Sequence, residues 1–487
     1  MKNNKSHFIN HQPLQFGALN QDQCEQIVNA TFRTLEKVGC KVQSEEALDL
    51  LKNAGCHIEG ELVKIPAHVM KKAINTAPSS VTLYDREGEV AMNVEPNNVY
   101  FGPGMTNPLI VDSETGERRA TIKSDVANMA RVCEALPNID WVCGLASISD
   151  CNPCLAEVYE AREMLENTSK HLVSWTHNLE NCVDIVKMCA TAIGGMDKLK
   201  EKPFLSFWIS PVSPLTQPKD SIAPVLYLAG EGLPVMYISG QTMGGTAPIS
   251  FGGGMVVGLA DCLVGLLISQ LKREGTPFIC GSFCEYMNMK TVNMSFSNPE
   301  LAFSQAAASD IFRYLDLPFA IHAGTTDSPI FDQQAAGDIA IQLFTGALSR
   351  GNMNCFIGFL ESAMSASLEA VVYGDEMISY IHNIVAGAEI STDTLVEDVI
   401  ANVGPGGNYL TEPHTFENFK KLWTPQCLQR DNYDNWVAAE KPDLFTILNK
   451  KVKELIATAP QKPLDDDILK QLDDIINKAE ARYSTKH

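Results

Sequence analysis

The chain has 487 residues, 45% of them hydrophobic, with a formal net charge of −21 and an isoelectric point near 4.9. That length supports a large buried core and more than one domain, and the acidic balance excludes a polyanion partner such as DNA or RNA, which needs concentrated Lys and Arg. The opening MKNNKSHFINHQPLQ has no apolar leader segment and no run is read as long enough to span a membrane, so a cytoplasmic protein without a membrane partner is expected.

Residues 1–95 read as an N-terminal helical and hairpin cap. Ile27, Thr31, Leu35 and Val38 recur at helical spacing and Gly39 stops the run. Ser44 caps a second helix that Gly55 ends, and PAHVMKKAINTAP (66–78) forms a third. SVTLYDREGEVAMNV (80–94) alternates on both sides of a Glu87-Gly88 turn, the pattern of a hairpin.

From 96 to 440 a rhythm sets in. Apolar or β-branched runs fall at 99–104, 142–150, 171–177, 204–211, 234–242, 277–286, 318–327 and 354–362, with helical segments between them. One such segment, GLADCLVGLLISQLKREG, carries a leucine face and stops at Gly275; another opens with Asn298 as cap and Pro299 at its first position. Strands that recur roughly every 30–45 residues, each followed by a helix, predict an α/β fold of the (β/α)8 TIM-barrel type. A doubly wound sheet would more often open with a glycine-rich dinucleotide turn, which is absent. Residues 441–487 are charged and helical and are expected to pack outside the barrel as a C-terminal extension.

In such a barrel chemistry collects where the strands end. Those ends supply Met105, Thr106, Ser147, Asp150, Trp175, His177, Trp208, Ser210, Gln241, Thr242, Cys284, Glu285, Tyr286, His322, Thr325, Asp327, Phe359, Glu361 and Ser362. The set is rich in aromatics and poor in Lys and Arg, which disfavours phosphorylated substrates and suits an apolar or cationic ligand. GQTMGGTAP (240–248) and VGPGGNYL (403–410) lack the endings of phosphate-binding loops. The fourteen cysteines show no disulfide-domain rhythm, and Cys151/Cys154 is a lone CxxC. A zinc-thiolate site on Cys280, Cys284 and His322 is the alternative chemistry. In HAGTTDSP (322–329), Ser328 before Pro329 reads as a helix start.

Several stretches resemble the trimethylamine methyltransferase (MttB-type) superfamily: YISGQTMGGTAPISFGGGMVVGLADCLVG (237–265), LPFAIHAGTTDSPIFDQQA (317–335), SRGNMNCFIGFLESAMSASLEAVVYGDEMI (349–378), VGPGGNYLTEPHT (403–415) and RDNYDNW (430–436). They keep the family's order. The resemblance implies a barrel and methyl transfer from a methylated amine to the Co(I) centre of a separate corrinoid protein docked over the mouth, with no tightly bound cofactor of the chain's own. Relatives that use trimethylamine carry pyrrolysine in or near the loop after strand seven. This sequence has no nonstandard residue there, and no lysine in HAGTTDSPIFDQQA. It thus resembles the branch lacking pyrrolysine, which implies a quaternary amine substrate such as glycine betaine or a related betaine. Tyr100, Trp208, Tyr286 and Phe359 are the candidates for an aromatic cage. His322, Thr325 and Gln241, with Gly324 in the same loop, are the candidates for holding a carboxylate. Glu285, Asp327 and Glu361 are the candidate catalytic acids, near the ammonium or facing the corrinoid. A zinc-dependent betaine:thiol methyltransferase and a non-enzymatic quaternary-amine binding protein are the alternatives. The acidic surface suits a homo-oligomer as well as a monomer.

Overall fold

The structure, a computed structural model, describes residues 15–459 and 464–484. The expectation about a leader therefore falls, but for Gln15, outside the described residues.

Eight parallel strands form the barrel: β1 (Tyr100–Pro103), β2 (Trp141–Val142), β3 (His171–Trp175), β4 (Leu205–Ile209), β5 (Val235–Ser239), β6 (Phe278–Ser282), β7 (Phe319–His322) and β8 (Met353–Ile357). Each is hydrogen-bonded to its sequence neighbour from β2 to β8, and β8 pairs with β1. The β1–β2 seam is closed by single bonds, Asp140 N–H to Phe101 O (2.7 Å) and Leu145 N–H to Gly104 O (3.1 Å). The chain is a (β/α)8 barrel.

Strand alternation sorts the core into two. Trp141, Val173, Met236, Ile238, Ile279, Ala320 and Met353 point inward and fill the barrel. Val142, Leu172, Phe207, Tyr237, Phe278, Cys280 and Phe319 point outward against the helices. The hairpin Val81–Tyr84/Val90–Val94 plugs the N-terminal end of the barrel, packing Val81, Leu83, Met92 and Val94 against the interior set.

Helix Phe251–Lys272 is, by length and composition, apolar enough to cross a membrane, with a mean hydropathy of 2.0, where the sequence reading expected no such stretch. Its apolarity has another cause. The helix lies between the barrel strands and the cap helices Gln21–Lys37 and Ala67–Thr76, and 15 of its residues are buried. A helix covered on every side has no need of a polar face.

Local signals work as the sequence suggests. Asn20 closes a capping box on Gln21–Lys37, Ser44 accepts from Ala47 N–H, and Asn298 accepts from Leu301 N–H with Pro299 following. The last barrel helix is Leu368–Ala386. Residues 388–440 add no strand, and the four short α-helices and one 3-10 turn in that stretch bury none of their side chains. The Glu376 carboxylate pins it by accepting from the N–H groups of Gln426 and Cys427. Helix Leu444–Thr458 packs on Leu368–Ala386, and Asp466–Ser484 packs on Leu179–Ile193, where Arg482 pairs with Asp184.

Candidate functional site

A cavity of about 410 Å³ opens at the C-terminal ends of the strands, within the range of small-molecule sites. Its walls are Met105, Thr106, Asn107, Trp175, Thr176, Trp208, Ile209, Ser210, Ser221, Glu285, Phe296, Phe356, Phe359 and Ala363. The only charged side chain among them is Glu285. A larger groove of about 900 Å³ runs between cap and outer helices. Its lysines and glutamates are mixed in sign, with Lys272 paired to Glu46, and it lies away from the strand ends.

The aromatic walls come from several strand ends. Trp208 meets Phe356 at 5.2 Å and Phe283 at 5.5 Å between ring centroids, and Phe356 stacks on Phe359 at 4.9 Å with planes 15° apart. Phe359 presses so closely on the backbone of β1's end that a Cβ on Gly104 would lie 1.9 Å from its ring. Phe356 reaches the cavity because β8 is irregular. The register shifts between Asn354 and Ile357 and Phe356 adopts φ +86°, so that it and Cys355 both turn inward. A bulge re-aims a side chain in this way beside many active sites.

Backbone strain gathers at the same rim. Thr106 (φ +65°) and Ala363 (φ +69°) line the cavity, and Glu361 and Ser362 (both φ +51°) precede Ala363. Left-handed conformations cost a non-glycine residue roughly 1–2 kcal/mol, and they persist where surrounding bonds over-determine them. Here Glu361 N–H donates to Ser328 O, Ser362 N–H to Thr326 O, and the Ser362 hydroxyl to Asp327.

His322 closes the inner side. Gln342 donates its Nε2 to the carbonyls of Phe296 and Thr325, so its Oε1 is the acceptor for the Thr325 N–H (3.1 Å) and hydroxyl (3.0 Å). The Thr325 hydrogen being committed, His322 Nε2 carries a hydrogen and donates it to Thr325 Oγ1 (2.9 Å). Nδ1 then faces Glu285 Oε1 at 3.7 Å without a hydrogen-bond partner among the described residues. Phe283, Phe296 and Phe356 surround the imidazole.

Behind Trp175 lies Glu160, 1% exposed. Its Oε2 accepts the Trp175 indole N–H at 2.7 Å and its Oε1 the Ile148 N–H at 3.4 Å. Burial, with nearby Glu157 adding to it, pushes this carboxyl up to about 8. Glu157 itself accepts from Asn181 and from the backbone N–H of His177, whose ring it holds above the usual imidazole value.

Of the residues singled out from sequence, Trp208, Glu285 and Phe359 line this cavity, as do the strand-end residues Met105, Thr106, Trp175 and Ser210, and His322 sits directly behind Glu285. Thr325 and Gly324 stand one layer back, where Thr325 orients His322 and Gly324 (φ +81°) turns the loop against Ile357 and Leu343. The structure places the remaining candidates for cage, carboxylate and acid elsewhere. Tyr100 begins β1, at the opposite end of the barrel, where its hydroxyl accepts from Asn93 N–H; a strand's first residue lies away from the mouth that its last residue reaches. Gln241 is fully buried, donating to Ser282 and Cys284 behind the wall. Tyr286 is half-buried and turned away, since it alternates with Glu285. Glu361 pairs with Arg118 (2.8 Å) and accepts from Ser365. Asp327 accepts from Ser295, Phe296 N–H and Ser362, tying three segments together rather than facing the cavity.

The zinc arrangement does not assemble. Cys280 points outward toward Cys262, while Cys284 is held by Gln241 Nε2 (2.9 Å) and lies 3.0 Å from Met255 Sδ. Burial pushes the Cys284 thiol up to about 12. Among the described residues no group of three His, Cys, Asp or Glu is placed to hold a metal ion.

Sequence reasoning did not single out Phe296, Phe356 and Ala363 as site residues, nor Glu160. Phe356 breaks strand alternation, and Phe296 comes just after a short hairpin outside the barrel strands, so neither carries a periodic signal.

The sequence matches the family model described as trimethylamine methyltransferase (MTTB) over residues 1–484. It is 30% identical to trimethylamine methyltransferase MttB of Desulfitobacterium hafniense (strain DSM 10664 / DCB-2), covering 94% of this chain and 92% of the relative. It is 28% identical to the glycine betaine methyltransferase of Desulfitobacterium hafniense (strain Y51), over 93% and 95%. Among solved structures, the Methanosarcina barkeri monomethylamine methyltransferase (MtmB) superposes with a TM-score of 0.54 at 14% identity, over 92% of this chain and 89% of that one, a likeness of fold.

Proposed function

The chain belongs to the trimethylamine methyltransferase (MTTB) family, is a methyltransferase acting within methylamine and betaine metabolism, and from that premise we propose that it moves a methyl group from a quaternary amine, glycine betaine or a related betaine, to the Co(I) centre of a cognate corrinoid protein in the cytoplasm, without pyrrolysine. The observation that carries this reading is the cavity wall: two indoles and three phenyl rings around a single carboxylate, with no basic side chain among the lining residues. Aromatic faces attract a cation by roughly 0.5–2 kcal/mol each, and Glu285 adds a negative charge that a neutral ligand would not require.

The substrate chemistry agrees with a site of this kind. A quaternary ammonium loses a methyl group and leaves as a neutral tertiary amine, so it needs no covalent activation. Trimethylamine would have to be made cationic first. The residues then have three tasks: to hold the ammonium, to aim one methyl group out of the mouth, and to exclude water. Trp175, Trp208, Phe296, Phe356 and Phe359 serve the first and third. The Ser210 hydroxyl, which accepts from Trp208 Nε1 (3.1 Å), and that of Thr106 are the donors available to the substrate's carboxylate. Positive charge is lost as the methyl departs, so rings and one carboxylate, short of a tight cage, avoid over-stabilising the ground state.

The corrinoid partner is supported by the rim. Val212, Ile249, Met289, Val292, Ile330 and Met364, from the loops after β4 to β8, are each at least 48% exposed around the mouth. Exposed apolar side chains on the loops around a mouth suit a protein partner. The corrinoid is a co-substrate, and it supplies the nucleophile that accepts the methyl group.

The test is to mix the purified chain with reduced corrinoid protein and a panel of betaines and follow the Co(I) to methyl-Co(III) spectrum. Conversion with a quaternary amine is expected. No change with any quaternary amine, alongside activity on trimethylamine or with a thiol acceptor, overturns the reading.

A further inference from the structure

Glu160 is a buried group in conflict with itself. Both of its oxygens accept N–H donors, from Trp175 and from Ile148, and no acceptor for a carboxyl proton is bonded to it among the described residues. That pattern suits the anion. Burial opposes it, and its immediate neighbours are acids: Glu157 one turn earlier on the same helix, Cys143 at the end of β2, and Cys151 in the loop that follows, while the basic group beside them, His177, is engaged by Glu157 and packs edge-on against Trp175 with ring centroids 4.6 Å apart. Room is made for the acid deliberately, since a Cβ on Gly144 would fall 2.5 Å from Glu160 Oε2. A glutamine would accept the indole N–H equally well without any charge to bury.

The cavity supplies what resolves the conflict. Trp175 is the indole that Glu160 grips, and its ring forms the cavity wall, whereas the other wall indole, Trp208, donates only to a serine hydroxyl. We propose that Glu160 is a positioning residue for the substrate's ammonium group, acting through Trp175: as an anion on the indole N–H it fixes the ring and makes its face more electron-rich, and a cation bound on that face draws Glu160 into the ionised form. Binding of a quaternary ammonium is thereby coupled to loss of the Glu160 proton to solvent. The inference rests on the methyl-transfer reading above and adds to it a second, hidden acid besides Glu285.

The sign of the coupling follows. Burial pushes the carboxyl up to about 8, and a nearby cation lowers that value. Affinity for an ammonium ligand therefore rises with pH up to about 8 and then levels, and binding at pH 7 releases protons. A ligand of the same shape without the charge shows neither effect.

The experiment is isothermal titration calorimetry of the full chain with glycine betaine, tetramethylammonium and tert-butylacetate (the uncharged-headed carbon isostere of glycine betaine), in buffers of different ionisation enthalpy, from pH 6 to 9. In Glu160→Gln the ammonium ligands should lose about tenfold in affinity, at the strong end of a desolvated cation–π contact, while tert-butylacetate is unchanged and proton release falls. In turnover the loss appears in KM more than in kcat. In a Trp175→Phe background, which lacks the indole N–H, the Glu160→Gln effect should shrink to near nothing. The wild-type pH profile needs no variant and keeps the test intact if Glu160→Gln folds poorly. Equal ammonium-to-isostere ratios in wild type and Glu160→Gln, or a wild-type affinity flat from pH 6 to 9, overturn this inference alone. A wild type that binds no quaternary amine at all overturns both this inference and the function it rests on.

Discussion

At the scale of single residues, the cavity is defined by a few close contacts. Gly104 is one: its missing Cβ is the space that Phe359 occupies. Gly104→Val is expected to push Phe359 aside, raise KM for the quaternary amine, and lower stability by about 1–3 kcal/mol, the usual cost of overpacking; thermal denaturation and steady-state kinetics check the two effects separately. Trp208 is another, since it meets both Phe283 and Phe356 while lining the cavity. Trp208→Leu should weaken ammonium binding by about 0.5–2 kcal/mol, read by calorimetry, with less effect on an uncharged isostere. His322 shows how a residue's role is decided by its neighbours. Gln342 fixes Thr325, Thr325 fixes the imidazole, and the nitrogen left over is the one that faces Glu285.

At the scale of elements, the loop after β7 carries more hydrogen-bonding capacity than a connection needs, and the structure shows where that capacity goes. Thr326 donates to Asp338, Ser328 to Asp332, and Thr325 serves His322. The following helix starts at Gln333 with Asp332 as its cap, accepting from Ala335 N–H, whereas Ser328-Pro329 had suggested an earlier start. Asp332→Ala should therefore cost about 1 kcal/mol of stability, a normal loss for an N-cap, and Ser328→Ala clearly less; chemical denaturation of the two variants distinguishes them. Asp327 binds this loop to the hairpin after β6 and to the strained turn after β8. Asp327→Ala removes four charge-assisted bonds, from Ser295, Phe296 N–H, Ser297 N–H and Ser362, and leaves their donors unmatched. A loss of at least about 2 kcal/mol is expected, accompanied by weaker substrate binding because Phe296 is released. Local signals fix where helices begin and end; they do not say that an acid in a loop will hold three segments together, because that depends on distances between residues far apart in sequence.

At the scale of the whole molecule, burying acids in an already acidic chain makes stability depend on pH. Asp261, under the cap and accepting from Ser213 and Ser239, is pushed by burial up to about 7, and Glu160 up to about 8. Raised values mean that the folded state holds these protons more tightly than the unfolded chain. Their contribution is therefore present at low pH and is lost as pH rises through the folded values. His177, raised by Glu157, acts in the same direction. His171 acts oppositely, since burial lowers it to about 4, but its effect is complete once pH exceeds the ordinary imidazole value of about 6.5. The melting temperature is thus expected to fall between pH 6.5 and 8.5, and Asp261→Asn to flatten part of that fall; differential scanning calorimetry at a series of pH values checks both.

What the sequence by itself determined was the sort of molecule this is. Strand recurrence at barrel spacing, apolar runs bounded by caps and glycines, and a mouth rich in aromatics and poor in bases are all local or periodic properties, and short-range physics writes them directly into the chain. The motifs from 237 to 436 carried the family resemblance for the same reason. Only the tertiary structure decided which of those mouth residues face one another. Tyr100 proved to lie at the far end of its strand, Tyr286 on the wrong side of an alternation, and Glu361 against Arg118. Phe356 entered the cavity through a bulge that no alternation predicts, and Glu160 reached Trp175 from a helix fifteen residues away. A site is made of contacts between distant segments, and those are set by packing and register, which no window of sequence contains.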